Sequence, residues 1–294
     1  MKKKLFIIDG YAFIFRAFFV CPEILTSEKL DVGAIQGFIQ IFFNLIDKCK
    51  MKNIIVALDH GSSKNTYRHE IYPEYKANRS PVPQSLIQQF PIMREVLDAF
   101  GIRYVEKYGS EADDLIGTLA SHYQTKGHSI NVISADKDLA QLIGENDTWW
   151  DYGKSKPLNP THIYQKFGVY PDQIADYLAL TGDSIDNIPG VPGIGAKTAA
   201  ILLNHFETLD ALIARKQEIT YLSFRGAKSC KKKIENHINE LYLARKLTRI
   251  VRDIPINNFD IKRKNIDLEK MHIIFDYLNF GPLLRRRILE IGDI

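Results

Sequence analysis

Cysteine is scarce in this chain: Cys21, Cys49 and Cys230 are the three among 294 residues. They are widely spaced, form no CxxC pair and match no zinc-ligand spacing. That excludes a disulfide framework or a zinc ribbon and fits a reducing, cytoplasmic setting. Long apolar runs are also missing, and none reaches the roughly 18 residues that a membrane span takes. The start, MKKKLFIIDG, has a basic head. Its apolar stretch is short, holds Asp9 and leads to no small-residue cleavage site, so it does not fit a signal peptide. Nor does one sign of charge dominate: 39 Lys and Arg against 35 Asp and Glu leave +4. Bulk charge therefore identifies no partner, and the placement of charges matters more. With 45% hydrophobic and 25% charged residues, the composition is globular, enough for one large domain or two smaller ones.

What the chain does have is aspartate at the ends of apolar strands. KLFIIDG ends at Asp9, NIIVALDHG reaches Asp59, and SINVISADKDL leads to Asp136 and Asp138. Continuous apolar runs of this kind suit parallel strands buried on both faces. Helical patterns over Val32 to Cys49, Leu86 to Phe100 and Leu115 to Tyr123 alternate with them. The alternation predicts an α/β, doubly wound sheet, whose ligand crevice lies beyond the carboxyl ends of the strands. A single strand-end Asp is commonly a turn former. Three of them, together with YGSEADDLIGTLA, ask for more. In that stretch Ser110 is the expected N-cap, with Asp113 as its capping-box partner. Acids in a first turn also suit the helix dipole, at about 0.3–1 kcal/mol each. That account leaves a third carboxylate among Glu111, Asp113 and Asp114 unexplained, since unit charges about 4 Å apart repel by roughly 4 kcal/mol near a surface.

Asp183 and Asp186, in the glycine-bounded turn LTGDSIDNIPG, add two more acids, with an Asx-turn as the plain alternative. If the strands are neighbours, the acids converge, and packed carboxylates raise one another's pKa. A divalent cation resolves the conflict, and ligation by oxygen alone points to Mg²⁺ or Mn²⁺. One ion needs only one or two protein carboxylates. This many can serve two, and two ions about 4 Å apart are the usual arrangement for in-line attack on a phosphate ester.

IPGVPGIGAKTAAILL follows directly. Gly190 and Gly195 have the separation of a P-loop, but Ala196 intervenes before Lys197 and no apolar strand leads in, so a nucleotide-triphosphatase loop does not fit. The stretch reads instead as a helix–hairpin–helix. Gly193 and Gly195 allow a tight turn and close backbone approach. Thr198 and Ala199 start the second helix, and the N–H groups of the turn and helix start, Lys197 among them, can bind phosphate without reading bases. Basic residues lie elsewhere. TYRHEIYPEYKANRSPVP mixes Arg68, Lys76 and Arg79 with Tyr67, Tyr72 and Tyr75. Such a mixture is either a solvated loop or a single-strand contact, with rings on bases and cations on phosphates. FRGAKSCKKKIENHI, ARKLTRIVR, IKRKN and LLRRRIL give the C-terminal part a positive cast suited to duplex DNA.

As a set and in this order, FIIDG, VALDHG, YRHEIYPEYKANR, GSEADDLIGTLA, SADKDLAQL and LTGDSIDNIPGVPGIGAKTA resemble the 5′–3′ exonuclease and flap endonuclease family, including the 5′ nuclease domain at the N-terminus of bacterial DNA polymerase I. The likeness spans nearly the whole chain. It implies a PIN-like core over 1–170, with a helical arch at about 62–90, and a helix–hairpin–helix region over 171–294 whose last helices pack back on the core. It also implies a monomeric enzyme that removes 5′ flaps and nicked-end nucleotides from DNA, free-standing or as part of a polymerase, using two Mg²⁺ or Mn²⁺ ions. Matched by motif, Asp9, Asp59, Glu111, Asp113 and Asp114 would hold the first ion. Asp136, Asp138, Asp183 and Asp186 would hold the second. Lys76 and Arg79 would contact the scissile phosphate, Tyr75 would stack on a base, and Arg68 matches as well. The backbone from Val191 to Gly195 resembles a K⁺ site beside duplex DNA. A PIN-type ribonuclease would share the acids without the hairpin and long arch; a non-catalytic DNA-binding subunit would keep the hairpin without needing the acids.

Overall fold

A computed structural model describes residues 2–60, 66–257 and 260–292. Residues 62–65 of the expected arch, and residues 1, 61, 258–259 and 293–294 of the expected domains, lie outside the described residues. The chain divides into two compact units. One comprises Met1–Gly61, Pro81–Ala135 and Arg252–Ile294; the other comprises Ser62–Ser80 and Asp136–Val251.

In the first unit four strands, β1 (Lys4–Asp9), β2 (Ile54–Ala57), β3 (Arg103–Val105) and β4 (Ser129–Ile133), run in the order β3-β2-β1-β4. All three pairings are parallel, with Ile7 opposite both Ile55 and Val132. The two central strands are apolar on both faces because helices cover both, and Leu5, Ile7, Ile8 and Ile54–Ala57 are fully buried. The helix Gly33–Cys49 buries Phe38, Phe42 and Phe43, and the Phe43 ring meets Phe100 edge-on at 5.2 Å. Each such ring contributes about 1.5–3 kcal/mol by leaving water. The α/β sheet expected from the apolar runs is therefore present. The strand β3 was not anticipated, being three residues long with an exposed first residue. The helix expected over Leu86 to Phe100 is a short turn, Gln84–Ile87, followed by Gln89–Ala99.

The second unit carries a short strand, β5 (Thr148–Trp150), and is otherwise helical. Its centre is the pair Ile174–Thr181 and Ala196–Phe206. The turn between them is closed by an antiparallel bridge between Asp183 and Ile188. Side chains tie its outer parts in place. Asp176 accepts a hydrogen bond from Leu209 N at 2.7 Å, and Gln141 donates to Thr248 O while accepting from Ile250 N, each at 3.0 Å. No helix among the described residues is long and apolar enough to cross a membrane.

Candidate active site

The nine acids marked in the sequence fall into two groups, one in each unit. Asp9 ends β1 and caps the helix Gly10–Val20, accepting from Ala12 N at 3.1 Å. Its other oxygen accepts from the Ser134 hydroxyl at 2.8 Å, a contact set up by the pairing of Ile8 with Ile133. Asp59 follows β2 and accepts from Ala112 N at 2.8 Å. It thereby satisfies an orphan N–H at the start of the helix Ala112–Thr125. The expected capping box on Ser110 is not formed. Glu111 takes the N-cap position, and the stabilising oxygen comes from Asp59, beyond the end of β2. Glu111 and Asp114 are buried, and Asp113 is half-buried at the same helix start. That end of the helix favours negative charge, which accounts for part of the crowding.

Asp136, Asp138, Asp183 and Asp186 form the other group. Asp136 caps the turn Lys137–Leu142, accepting from Asp138 N at 2.9 Å. Asp138 is 8% exposed, and its Oδ1 is buried with no hydrogen-bond partner. The Lys137 ammonium stands 3.8 Å from that oxygen and donates a short hydrogen bond to Asp183 Oδ2. Asp183 Oδ1 accepts from Ile185 N at 2.8 Å. Burial raises the carboxyl pKa of Asp136, with the charge of Asp186 adding to it. Burial also pushes Asp138 well above the ordinary carboxylate range, with the charge of Asp136 next. Burial thus disfavours the ionised form of these carboxyl groups, and a hard cation would restore it. As placed, no three His, Cys, Asp or Glu side chains among the described residues are grouped to hold an ion. In the second group, oxygens are turned instead to Lys137, Arg79 and Tyr75.

Asp186 is the anchor for the segment expected to meet the phosphate. Arg79 donates a short hydrogen bond to its Oδ1, the Tyr75 hydroxyl donates to Oδ2 at 3.2 Å, and Lys76 Nζ lies 3.9 Å from Oδ2. Lys76 holds φ at 56°, an uncommon value for a residue with a side chain, while its own N–H donates to Asp186 O at 2.9 Å. Two residues that sequence reasoning missed fasten the two turns: Asn78 donates to Ser184 O at 2.6 Å and Asn187 to Glu74 O at 2.7 Å. Lys137 and Ser134 were missed too. Their only signal was adjacency to an acid motif. Arg68 is 2% exposed and donates to Leu247 O at 2.8 Å and Arg249 O at 3.1 Å. Replacing it with Met would strand the buried Leu247 carbonyl and remove the bond to the less buried Arg249 carbonyl. We expect a loss of about 2–3 kcal/mol, read as a lower urea midpoint with an unchanged slope.

The hairpin reads as expected, with its second helix starting at Ala196, two residues before Thr198. Val191 N donates to Leu180 O and Ile194 N to Val191 O, which fixes the turn, while Gly193, Gly195 and Lys197 are exposed. Thr198 is half-buried. Gly195 is the N-cap and no side chain caps the helix.

Acids at the ends of parallel strands and a helix–hairpin–helix define a PIN-like nuclease of the 5′-nuclease class. The comparisons specify it. Residues 4–168 match the 5′–3′ exonuclease N-terminal resolvase-like domain, and residues 169–271 match the 5′–3′ exonuclease C-terminal SAM fold. The chain belongs to the 5′–3′ exonuclease family. It is 38% identical to a 5′–3′ exonuclease of Buchnera aphidicola, covering 92% of each chain. It is also 38% identical to DNA polymerase I of Bacillus caldotenax, covering 97% of this chain but 32% of that protein. The chain thus spans about a third of its polymerase relatives and nearly all of the shorter exonucleases. Among solved structures, T5 5′-exonuclease with bound zinc superposes with a TM-score of 0.66 at 22% identity, covering 99% of this chain and 100% of that one. The catalytic core of Rad2 with DNA substrate gives 0.67 at 15% identity, covering 100% and 93%.

Proposed function

We propose that the chain is a divalent-metal-dependent 5′ nuclease that hydrolyses DNA at 5′ flaps, nicks and single-strand/duplex junctions. The observation that carries the metal reading is the second acid group, an all-oxygen donor set in which the buried Asp138 Oδ1 has no hydrogen-bond partner. Asp9, Asp59, Glu111, Asp113 and Asp114 would hold one Mg²⁺ or Mn²⁺, and Asp136, Asp138, Asp183 and Asp186 a second. When bound, such ions polarise the scissile phosphate and lower the pKa of the attacking water. The chain's own residues do the rest. Lys76 and Arg79 neutralise charge on the phosphate, which requires them to leave Asp186. Tyr75 leaves with them and stacks on a base. Arg68, buried in the same unit, holds the segment that carries them. Backbone N–H groups around Gly193, Gly195, Lys197 and Thr198 hold the duplex, with K⁺ at the Val191–Gly195 turn. We assign the nuclease core to 1–170 and the duplex-binding region to 171–294, in a cytoplasmic monomer.

Cleavage of a 5′-flap DNA and of a matched RNA strand, each with Mg²⁺, Mn²⁺ or EDTA, tests the proposal. Divalent-dependent cutting of the DNA flap alone is expected. Cutting in EDTA, or a preference for RNA, would overturn it. Lys76→Ala should slow single-turnover cleavage about 100-fold or more, the scale of losing one transition-state donor. Duplex affinity should change by no more than about threefold, as for one phosphate contact. Equal losses in both would make Lys76 a simple anchor.

A further inference from the structure

We propose that Lys137 is a tethered stand-in cation for the second acid group, neutralising Asp183 and Asp138 until a divalent ion enters and thereby setting the affinity of that site. This rests on reading the group as an ion site. The residue lies between two of the acids in sequence, on the turn Lys137–Leu142 that Asp136 caps. Its ammonium bonds Asp183 Oδ2 and stands 3.8 Å from Asp138 Oδ1. The groups facing it are those two carboxylates, that of Asp136 and the Tyr177 hydroxyl, while Lys76 and Arg79 are turned to Asp186. Asp183 is held ready for an ion by the bond from Ile185 N to its other oxygen.

Lys137 differs from Lys76 and Arg79 in its tether. It stands on the same turn as Asp136 and Asp138, so it stays beside the acids whatever the 72–79 segment does. Its side chain is 34% exposed, which leaves it a way out toward water when an ion arrives. An entering dication must displace the ammonium from Asp183. The ammonium is therefore a competitor built into the site, and it keeps the acids from repelling one another when ions are absent. Lys137 is a positioning residue in this account and makes no contact with the reacting atoms.

The test titrates the full chain with Mn²⁺, without DNA, following free Mn²⁺ by electron paramagnetic resonance, and compares melting in EDTA with melting in Mn²⁺. Two classes of Mn²⁺ site are expected. In Lys137→Met the weaker class should tighten about tenfold, the scale of one partly exposed charge-assisted hydrogen bond. The melting temperature in EDTA should fall, and the deficit should close as Mn²⁺ is added. Lys137→Gln carries the same expectation should the Met variant not fold, and Lys137→Arg should stay within about twofold of the parent because it restores the cation. Folding of each variant is confirmed by duplex binding in EDTA. A folded Lys137→Met that binds the weaker Mn²⁺ equally or less tightly overturns the proposal. A parent chain with one class of site, unchanged by Asp183→Asn, removes the ion site itself and the proposal with it.

Discussion

Asp136→Asn should lower single-turnover flap cleavage at least a thousandfold, while binding of the same DNA in EDTA stays within about threefold. An ion at such a site contributes several kcal/mol of transition-state stabilisation, and each 1.36 kcal/mol is tenfold in rate. Fold damage is not the cause, because Asn keeps an oxygen for the bond from Asp138 N and is as good a cap as Asp. The charge itself is unfavourable in the ion-free protein, since burial raises the Asp136 carboxyl above its ordinary value. A carboxyl raised on folding lowers stability as pH climbs from the ordinary Asp range through the raised folded value, and has no such effect below that range. The variant should therefore melt at or above the parent's temperature in EDTA at neutral pH, with the two converging in acid. Mn²⁺ should reverse the order by stabilising the parent more. Parent-level turnover by the folded variant would rule out a role for Asp136 in holding an ion.

What could be read beforehand follows from how far each feature reaches along the chain. The strands β1, β2 and β4 were legible because burial on both faces leaves an uninterrupted apolar run, and Ile7, Ile55 and Val132 announce it locally. Strand β3 is three residues with Arg103 exposed and makes no pattern. The start of the helix Ala112–Thr125 misled in a more instructive way. Ser110 has the right residue type and spacing, yet Asp59 arrives from more than fifty positions upstream and takes the bond to Ala112 N. No local rule can see that oxygen. The acids themselves stood out as a surplus, while their partners did not. Lys137 and Ser134 sit inside motifs as ordinary polar residues, and Asn78 and Asn187 matter only because the 72–79 and 183–188 turns meet within one unit. Nothing in the composition of 62–80 says that it groups with 136–251 instead of with its chain neighbours.

Gly190→Ala should be among the most damaging single-methyl changes in the protein. A Cβ there would lie 2.3 Å from Gly182 N and 2.3 Å from Thr181 C. Both are backbone atoms, so no side chain can rotate away. Gly182 itself has φ +75° and would set a Cβ 2.5 Å from Gly190 N, so the two glycines let the strands of this turn cross in contact. Overpacking costs typically 1–3 kcal/mol where side chains can yield, and here the cost should reach about 3 kcal/mol or more. That corresponds to a melting temperature lower by roughly 6–12 °C. The loss should be read in the site as well. Opening the turn breaks the paired bonds between Asp183 and Ile188, 2.9 and 2.8 Å long, and the bond from Val191 N to Leu180 O. Those bonds hold Asp183 and Asp186 on one side and the hairpin on the other. Weaker Mn²⁺ binding and weaker duplex binding should therefore appear together, which separates this variant from Asp136→Asn. Gly195→Ala is the control: nothing lies within 4 Å of its Cβ and φ is −97°, so its melting temperature should stay within about 2 °C of the parent. A Gly190→Ala chain that melts with Gly195→Ala and keeps both kinds of binding would show that the 182–190 crossing yields without disturbing the acids it carries.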